Sequence, residues 1–255
     1  MNPKPPSFPA PELARTDHRP WPLPDRPWLL RQQWNDLLFL HWAVDPDWVQ
    51  KALPEGLQVD THDGKAWLGI VPFDMKGVTF RGCPAPPVFC DFPEINLRTY
   101  VTDGEKAGVW FFSLDVNKRM AVWGARTFFH LPYFKAEVET HREGEWVRYW
   151  HSRGDLRFEA SYRPAKSEIL PQGEFEEWAT SRYALYCQSR RGAVYRGEIH
   201  HTPWPLQSAE VEIQENTLLD GLPIGEAHPS RLFSRSLNVV VYPLEKLSDA
   251  RKPFL

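Results

Sequence analysis

From Glu94 to Val101 the chain alternates polar and apolar residues at every step: Glu, Ile, Asn, Leu, Arg, Thr, Tyr, Val. A period of two is the geometry of an extended strand, whose successive side chains point to opposite faces. Ile95, Leu97, Thr99 and Val101 share one face; Glu94, Asn96, Arg98 and Tyr100 share the other. Periodicity alone favours a half-exposed antiparallel strand with its polar side in water. In a closed barrel the same polar side lines an interior cavity instead, and Glu94 and Arg98 then become groups for holding a charged or polar ligand.

The rest of the chain supplies neighbours for such a strand. Residues 34–44 (WNDLLFLHWAV) read as a buried strand. Asp45-Pro46-Asp47 starts a short helix carrying Trp48, Val49 and Leu53, with an acceptor at the N-cap and proline at the first helical position. Residues 56–60, a turn at His62-Asp63-Gly64-Lys65, and residues 66–73 form a hairpin signal. Residues 94–102 and 108–115 flank a Thr102-Asp103-Gly104 turn. Residues 117–130 read as a helix with Asp115 and Asn117 as N-cap candidates. Met120, Ala121, Trp123, Ala125 and Phe128 make its apolar face, while Arg119, Arg126 and His130 lie together elsewhere on it. Residues 133–140, 146–152 and 156–162 form a meander. A helix at 175–183, strands at 184–188, 193–200 and 209–214, a short helix at 217–222 and a final strand at 232–242 complete the chain. The pattern amounts to roughly ten strands and a few helices.

The first 27 residues are separate in kind. Pro3, Pro5, Pro6, Pro9, Pro11, Pro20, Pro22, Pro24 and Pro27 remove backbone donors, so this stretch is expected to join neither a helix nor a ladder. It reads as an extended arm, loose or wrapped over a single domain spanning residues 28–255. A chain of 255 residues is long enough for one large β domain. With 12 Trp and 15 Phe, it holds more large rings than a minimal core needs, and such rings fill or line the inside of a curved sheet.

Charge and motif content exclude several function classes. The net charge is -3 with both signs interspersed, whereas nucleic-acid binders concentrate cations on one face. The most apolar run, Leu37–Val44, is too short to span a bilayer, and the N-terminus has no signal-peptide core, so the expectation is a cytoplasmic protein. Cys83, Cys90 and Cys187 form no CxxC, which argues for reduced thiols; a Cys83–Cys90 bridge is the alternative. GxSxG, HExxH, the phosphate-binding loop and GxGxxG after a strand are all missing. His200 and His201 are adjacent on one strand and so face opposite ways. A metal held by His200, Glu198 and a third ligand is the alternative to simple polar pairing. The reading calls for no cofactor and no metal.

Four stretches resemble a known group: RQQWNDLLFLHWAVDPDWVQKALPEGLQVDTHDGKAWLGIVPF (31–73), FPEINLRTYV (92–101), GVWFFSLDVNKRMAVWGARTFFHLPYFKAEV (108–138) and VYRGEIHHTPWPLQSAE (194–210). They look like the YqjF-like family of the acetoacetate decarboxylase-like superfamily, in the same order along the chain. The resemblance implies a mainly β (α+β) fold: a large antiparallel, closed or cone-like barrel with a few short peripheral helices and an internal cavity.

The superfamily's named enzyme forms a Schiff base from a lysine whose pKa a second lysine depresses. Its motif is a Gly-Arg-Glu helix leading to a Pro-Lys-Lys strand start. Here Ala125-Arg126-Thr127 and Leu131-Pro132-Tyr133-Phe134 occupy those places, so Arg126 and Pro132 match while Tyr133 and Phe134 replace both lysines. Glu94 resembles the active-site glutamate. The arginine that clamps substrate carboxylate falls near Asn35, and Arg31 substitutes only in a shifted alignment.

Three functions follow as expectations. One is a cavity that binds a small polar or carbonyl-containing molecule, without lysine chemistry, through Glu94, Arg98, Tyr133, Tyr195 and Arg126. Another is a decarboxylase, aldolase or dehydratase acting on a keto acid through a displaced Lys118 or Lys135. The third is a non-catalytic interaction protein that uses the proline arm or an aromatic patch. Whether the chain is an enzyme, and whether it forms a homo-oligomer, are both left open.

Overall fold

Residues 37–44 of the first long strand are buried without a break, and the architecture explains why both of its faces are covered. In the computed structural model, which describes residues 11–84, 90–165, 173–225 and 230–249, the strands are β1 (Leu30–Val44), β2 (Gln58–Val59), β3 (Ala66–Phe80), β4 (Phe92–Thr102), β5 (Ala107–Val116), β6 (Tyr133–Lys135), β7 (Glu137–Glu143), β8 (Trp146–Arg153), β9 (Leu156–Pro164), β10 (Ala184–Gln188), β11 (Ala193–His200), β12 (Leu206–Asn216), β13 (Ser230–Val241) and β14 (Glu245–Asp249). The helices are α1 (Pro46–Ala52), α2 (Arg119–Phe128) and α3 (Glu174–Thr180).

The strands run in the order β14-β11-β10-β5-β4-β3-β1-β13-β12-β9-β8-β7. A further pairing of β11 with β13, Ile199 opposite Val241 and His200 opposite Val240, closes the part from β11 to β13 into a ring. The strands β12, β9, β8 and β7 continue past the ring as a wing. Leu37 and Phe39 join the cluster that includes Val71, Phe73 and Leu114, inside the ring. Leu38 and Leu40 join the cluster that includes Val147, Tyr149, Phe158 and Tyr162 of the wing. Strict alternation thus sends neighbouring leucines of one strand into two cores, and an unbroken apolar run results.

Several local expectations are corrected. Residues 56–60 do not form a hairpin with β3: β2 pairs with β4, Gln58 opposite Thr102, and β3 lies between β1 and β4. Asp45 does cap α1, accepting from the Asp47 N–H at 2.7 Å. Neither Asp115 nor Asn117 caps α2, whose N-cap is Lys118, with no side-chain capping bond. Asp115 is buried in β5, where it accepts from Arg153 Nε and lies 2.7 Å from His151 Nε2. Residues 217–222 make hydrogen-bonded turns, not a helix. The final strand is followed by β14, giving fourteen strands among the described residues instead of about ten.

Of the N-terminal arm, residues 1–10 lie outside the described part, and the remainder wraps over β11. Pro11–Ala14 forms one 3-10 turn, contrary to the expectation of no helix; proline there sits at the first position, where its missing N–H costs nothing. Arg19 is 9% exposed and donates to the Ile199 carbonyl at 2.8 Å. Trp21 Nε1 and Lys106 Nζ both donate to the Glu198 carboxylate at 2.7 Å. His200 meets the Leu13 carbonyl at 3.0 Å. Glu198 and His200 are thereby used to hold the arm down. Cys83, Cys90 and Cys187 are all free thiols, which removes the bridge alternative.

β10 reaches the ring by a short parallel pairing with β5, Leu185 opposite Val109 and Tyr186 opposite Trp110. A Cβ on Gly108 would come 2.5 Å from the Ala184 carbonyl oxygen and 2.8 Å from the Tyr186 ring. The nearest atom is backbone and cannot swing away. Gly108→Ala is therefore expected to lower stability by about 1–3 kcal/mol, as overpacking does. A urea midpoint equal to that of the parent chain would contradict this.

Candidate functional site

The ring encloses a cavity of about 350 Å³. That volume lies at the small end of ligand-binding cavities. The polar face of β4 points into it: Glu94, Asn96 and Arg98 line the wall, with Glu94 2% and Asn96 5% exposed. The expectation that this face meets water is overturned, because closure of the sheet through β11 and β13 turns it inward. Most of the remaining wall is apolar, including Phe39, Val71, Phe73 and Leu114.

Glu94 and Tyr133 form one polar unit. The Tyr133 hydroxyl donates to Glu94 Oε2 at 2.7 Å. β6 places Tyr133 there by parallel pairing with β5, Tyr133 opposite Leu114. Burial pushes the Glu94 carboxyl up to about 7, although the Tyr133 and Asn96 hydrogen bonds both act to lower it. Desolvation outweighs two donors here. Burial first, and then the adjacent Glu94, raises the Tyr133 phenol well above its usual range. Glu94 is thus the group of this pair that exchanges a proton near neutrality, and Tyr133 stays protonated and orients it.

Four residues along β4, about 13 Å at a rise of ~3.3 Å each, stands Arg98. Beside it, from the segment between α3 and β10, comes Arg182. Both guanidinium carbons approach one ring, Arg98 5.5 Å and Arg182 5.1 Å from the Tyr100 centroid. Arg182 is ion-paired to Asp60. Burial lowers its pKa, Asp60 opposes this, and the neighbouring Arg98 charge adds to the lowering. Arg98 has no ion-pair partner among the described residues; its Nη2 makes only long bonds, to Tyr100 Oη at 3.3 Å and the Ala179 carbonyl at 3.5 Å. Arg98 Nε and Arg182 Nη2 are buried donors with no acceptor among the described residues. Gly69 makes room for this arrangement, since a Cβ there would stand 3.3 Å from Arg98 Cγ.

Burial also keeps two imidazoles neutral. The Tyr100 oxygen accepts from Arg98, so its own proton points to His41 Nε2, 2.6 Å away. Burial depresses His41 to about 3, which keeps it uncharged. His201 also lines the cavity, and burial depresses it to about 3. Its Nδ1 donates to the Thr202 carbonyl at 2.7 Å, leaving Nε2 as an acceptor. His200 and His201 do face opposite ways, the first to the arm and the second to the cavity.

The other anticipated residues fall elsewhere. Arg126 is exposed on α2, with its guanidinium 5.6 Å from the Phe134 ring. Tyr195 lies against His130, ring centroids 5.0 Å apart, outside the cavity lining. Asn35 accepts from Ser236, and neither it nor Arg31 lines the cavity. Lys135 donates to the Ala136 carbonyl, and neither Lys118 nor Lys135 reaches the wall. Arg182 was not anticipated: the helix expected over 175–183 ends at Thr180, before it, and its position depends on Asp60, far away in sequence. Among the described residues no group of His, Cys, Asp and Glu is arranged to hold a metal. No helix among them is long and apolar enough to cross a membrane.

The chain matches the DUF2071 family, described as uncharacterised conserved proteins, over residues 31–238. It is 41% identical over 232 residues to the uncharacterised protein YqjF of Bacillus subtilis (strain 168), covering 89% of this chain and 96% of that one. Among solved structures it is similar in fold to the enduracididine biosynthesis enzyme MppR complexed with the condensation product of pyruvate and imidazole 4-carboxaldehyde, with a TM-score of 0.65, 14% identity, and 88% and 91% of the two chains covered. It is likewise similar to acetoacetate decarboxylase of Legionella pneumophila, with a TM-score of 0.63, 14% identity, and 90% and 92% covered.

Proposed function

This chain belongs to the DUF2071 family and has an acetoacetate decarboxylase-like fold, and on that footing we propose that its cavity binds a small carbonyl-bearing carboxylate without forming an imine. The observation that carries the proposal is the arginine pair. Arg98 brings a cation without a counter-ion into an apolar chamber, and both arginines present donors that no described residue accepts. A half-buried charge without a counter-ion is incompletely solvated, and an anionic ligand would answer it through charge-assisted hydrogen bonds. The ligand's carboxylate would meet the cavity-facing part of the Arg98 guanidinium, with Arg182 beside it. Its carbonyl end would lie toward Glu94, whose acid form donates a hydrogen bond and whose carboxylate accepts a proton. That the structural neighbour MppR is complexed with pyruvate supports a small oxo acid as the class of ligand. Among the described residues lining the cavity there is no lysine, so an amine nucleophile has no place in the reading.

Calorimetry of the full chain with pyruvate, acetoacetate and their methyl esters tests the proposal. The acids are expected to bind and the esters to bind at least tenfold more weakly. Equal binding of acid and ester would remove the role of the arginines. Borohydride treatment with the same acids, read by intact mass, should leave the protein mass unchanged; a lysine adduct would restore the displaced-lysine reading.

A further inference from the structure

The large apolar side chains exposed among the described residues are Phe80, Met120, Trp123, Phe128 and Ile213. All but Ile213 line this one cavity. They ring its mouth. Phe80 ends β3, beyond the level of Glu94, and the other three stand on α2. Met120 is 63% exposed, Trp123 56% and Phe128 55%. Single exposed apolar groups are ordinary, but their gathering at the opening of a polar-ended cavity is the mark of a binding surface.

The order of groups along the ring gives a direction. The pairing Gly69 opposite Arg98, and then Phe73 opposite Glu94, puts the arginines deep and Glu94 nearer the mouth. Phe80, opposite Leu30 on β1, lies further out on the same side. A ligand carboxylate at Arg98 is therefore separated from the rim by the whole length of wall between these levels, a mainly apolar wall whose polar groups are Gln32, Asn96, His201 and the Glu94–Tyr133 unit. A three-carbon acid held at Arg98 ends well short of it. On α2, Ala121, Gly124 and Ala125 face the cavity, and these small residues leave a passage between the deep chamber and the rim. Trp123 and Phe128 meet edge to face at 5.6 Å, which fixes one side of that passage.

We infer that the ligand is an amphipathic acid, whose carboxylate sits at Arg98 and Arg182 and whose apolar tail runs past Glu94 to the rim of Phe80, Met120, Trp123 and Phe128. This rests on the carboxylate reading of the cavity and adds the tail. A series of unbranched 2-oxo acids from three to ten carbons, titrated calorimetrically into the full chain, tests it. Affinity should rise with length, by up to about fourfold for each methylene that leaves water. The double variant Met120→Gln, Trp123→Gln should retain the parent's melting temperature, because both side chains are exposed, and should flatten the rise for the longer acids alone. 2-Decanone, which has a tail and no carboxylate, should bind at least tenfold more weakly than 2-oxodecanoate.

The failures are separable. Binding of the short acids with no dependence on length would overturn the tail and leave the carboxylate reading standing. Equal binding of ketone and acid would overturn the carboxylate reading and keep the tail. A parent chain that sediments as an oligomer, with the rim variant monomeric and its length dependence intact, would make the rim a subunit contact and overturn the tail proposal.

Discussion

Arg98→Met is expected to weaken carboxylate binding on the order of a hundredfold while leaving the unliganded protein as stable as the parent or more so. The two halves of that result have different causes. A charged hydrogen bond is worth ~1.5–3 kcal/mol, and losing the guanidinium while Arg182 remains should cost about 3 kcal/mol, on the order of a hundredfold in affinity. In the absence of ligand, Arg98 contributes little that methionine cannot replace. Its hydrogen bonds to Tyr100 and Ala179 are long, its Nε is buried without an acceptor, and it has no counter-ion among the described residues. Arg98 is only half-buried, and replacing a poorly partnered charge by an apolar side chain of similar volume is expected to be neutral or mildly stabilising. Arg182→Met should behave differently, since it strands Asp60, its ion-pair partner, and destabilises the fold. Melting curves and titrations of the two variants check this. An Arg98→Met protein that melts well below the parent, yet still binds the acids, would show Arg98 to be a structural residue.

That contrast also shows where sequence reasoning reaches and where it stops. The alternation from Glu94 to Val101 defines which side chains share a face, and it places Glu94 and Arg98 together correctly. It cannot say whether that face meets water, because the answer depends on closure of the ring through Ile199 and Val241, a contact between distant strands. The same limit applies to the apolar run 37–44, whose two faces are covered by two different cores. Local signals succeeded where the chemistry is local, as with Asp45 capping α1. They failed for the hairpin of residues 56–73, where the turn signal was real but the partner of β2 is β4. Family resemblance located Tyr133 and its neighbour Glu94, which hydrogen-bond on the cavity wall. It also suggested Arg126, which the exposed side of α2 carries away from the cavity. Arg182 lies just past the end of α3, where the sequence suggested that helix continued, and it is held by Asp60, 122 residues earlier, so nothing local to it marks its role.

The second large effect is a pH dependence carried by Glu94. Its carboxyl titrates near 7 in the folded protein, against an ordinary value of 4.5, because burial disfavours the charged form. Between those two values the unfolded chain has released its proton while the folded chain retains it. Unfolding therefore becomes easier as pH rises, since stability falls wherever the unfolded state binds fewer protons. The stability associated with protonated Glu94 is fully present below about pH 4.5 and is lost as pH rises through 7. At ~1.4 kcal/mol per pKa unit the loss is on the order of 3 kcal/mol. Glu94→Gln removes the ionisation and keeps an acceptor for the Tyr133 hydroxyl. The variant should match the parent near pH 4.5 and exceed it in stability by about 2–3 kcal/mol at pH 8, measured as the difference between urea midpoints across that range. A difference that does not change with pH would mean that Glu94 is not held protonated by its surroundings. Ligand binding adds a second readout of the same group. If a bound carbonyl accepts the Glu94 proton in a hydrogen bond, affinity in the parent should fall as pH rises through 7, and in Glu94→Gln, whose amide donates at every pH, it should not.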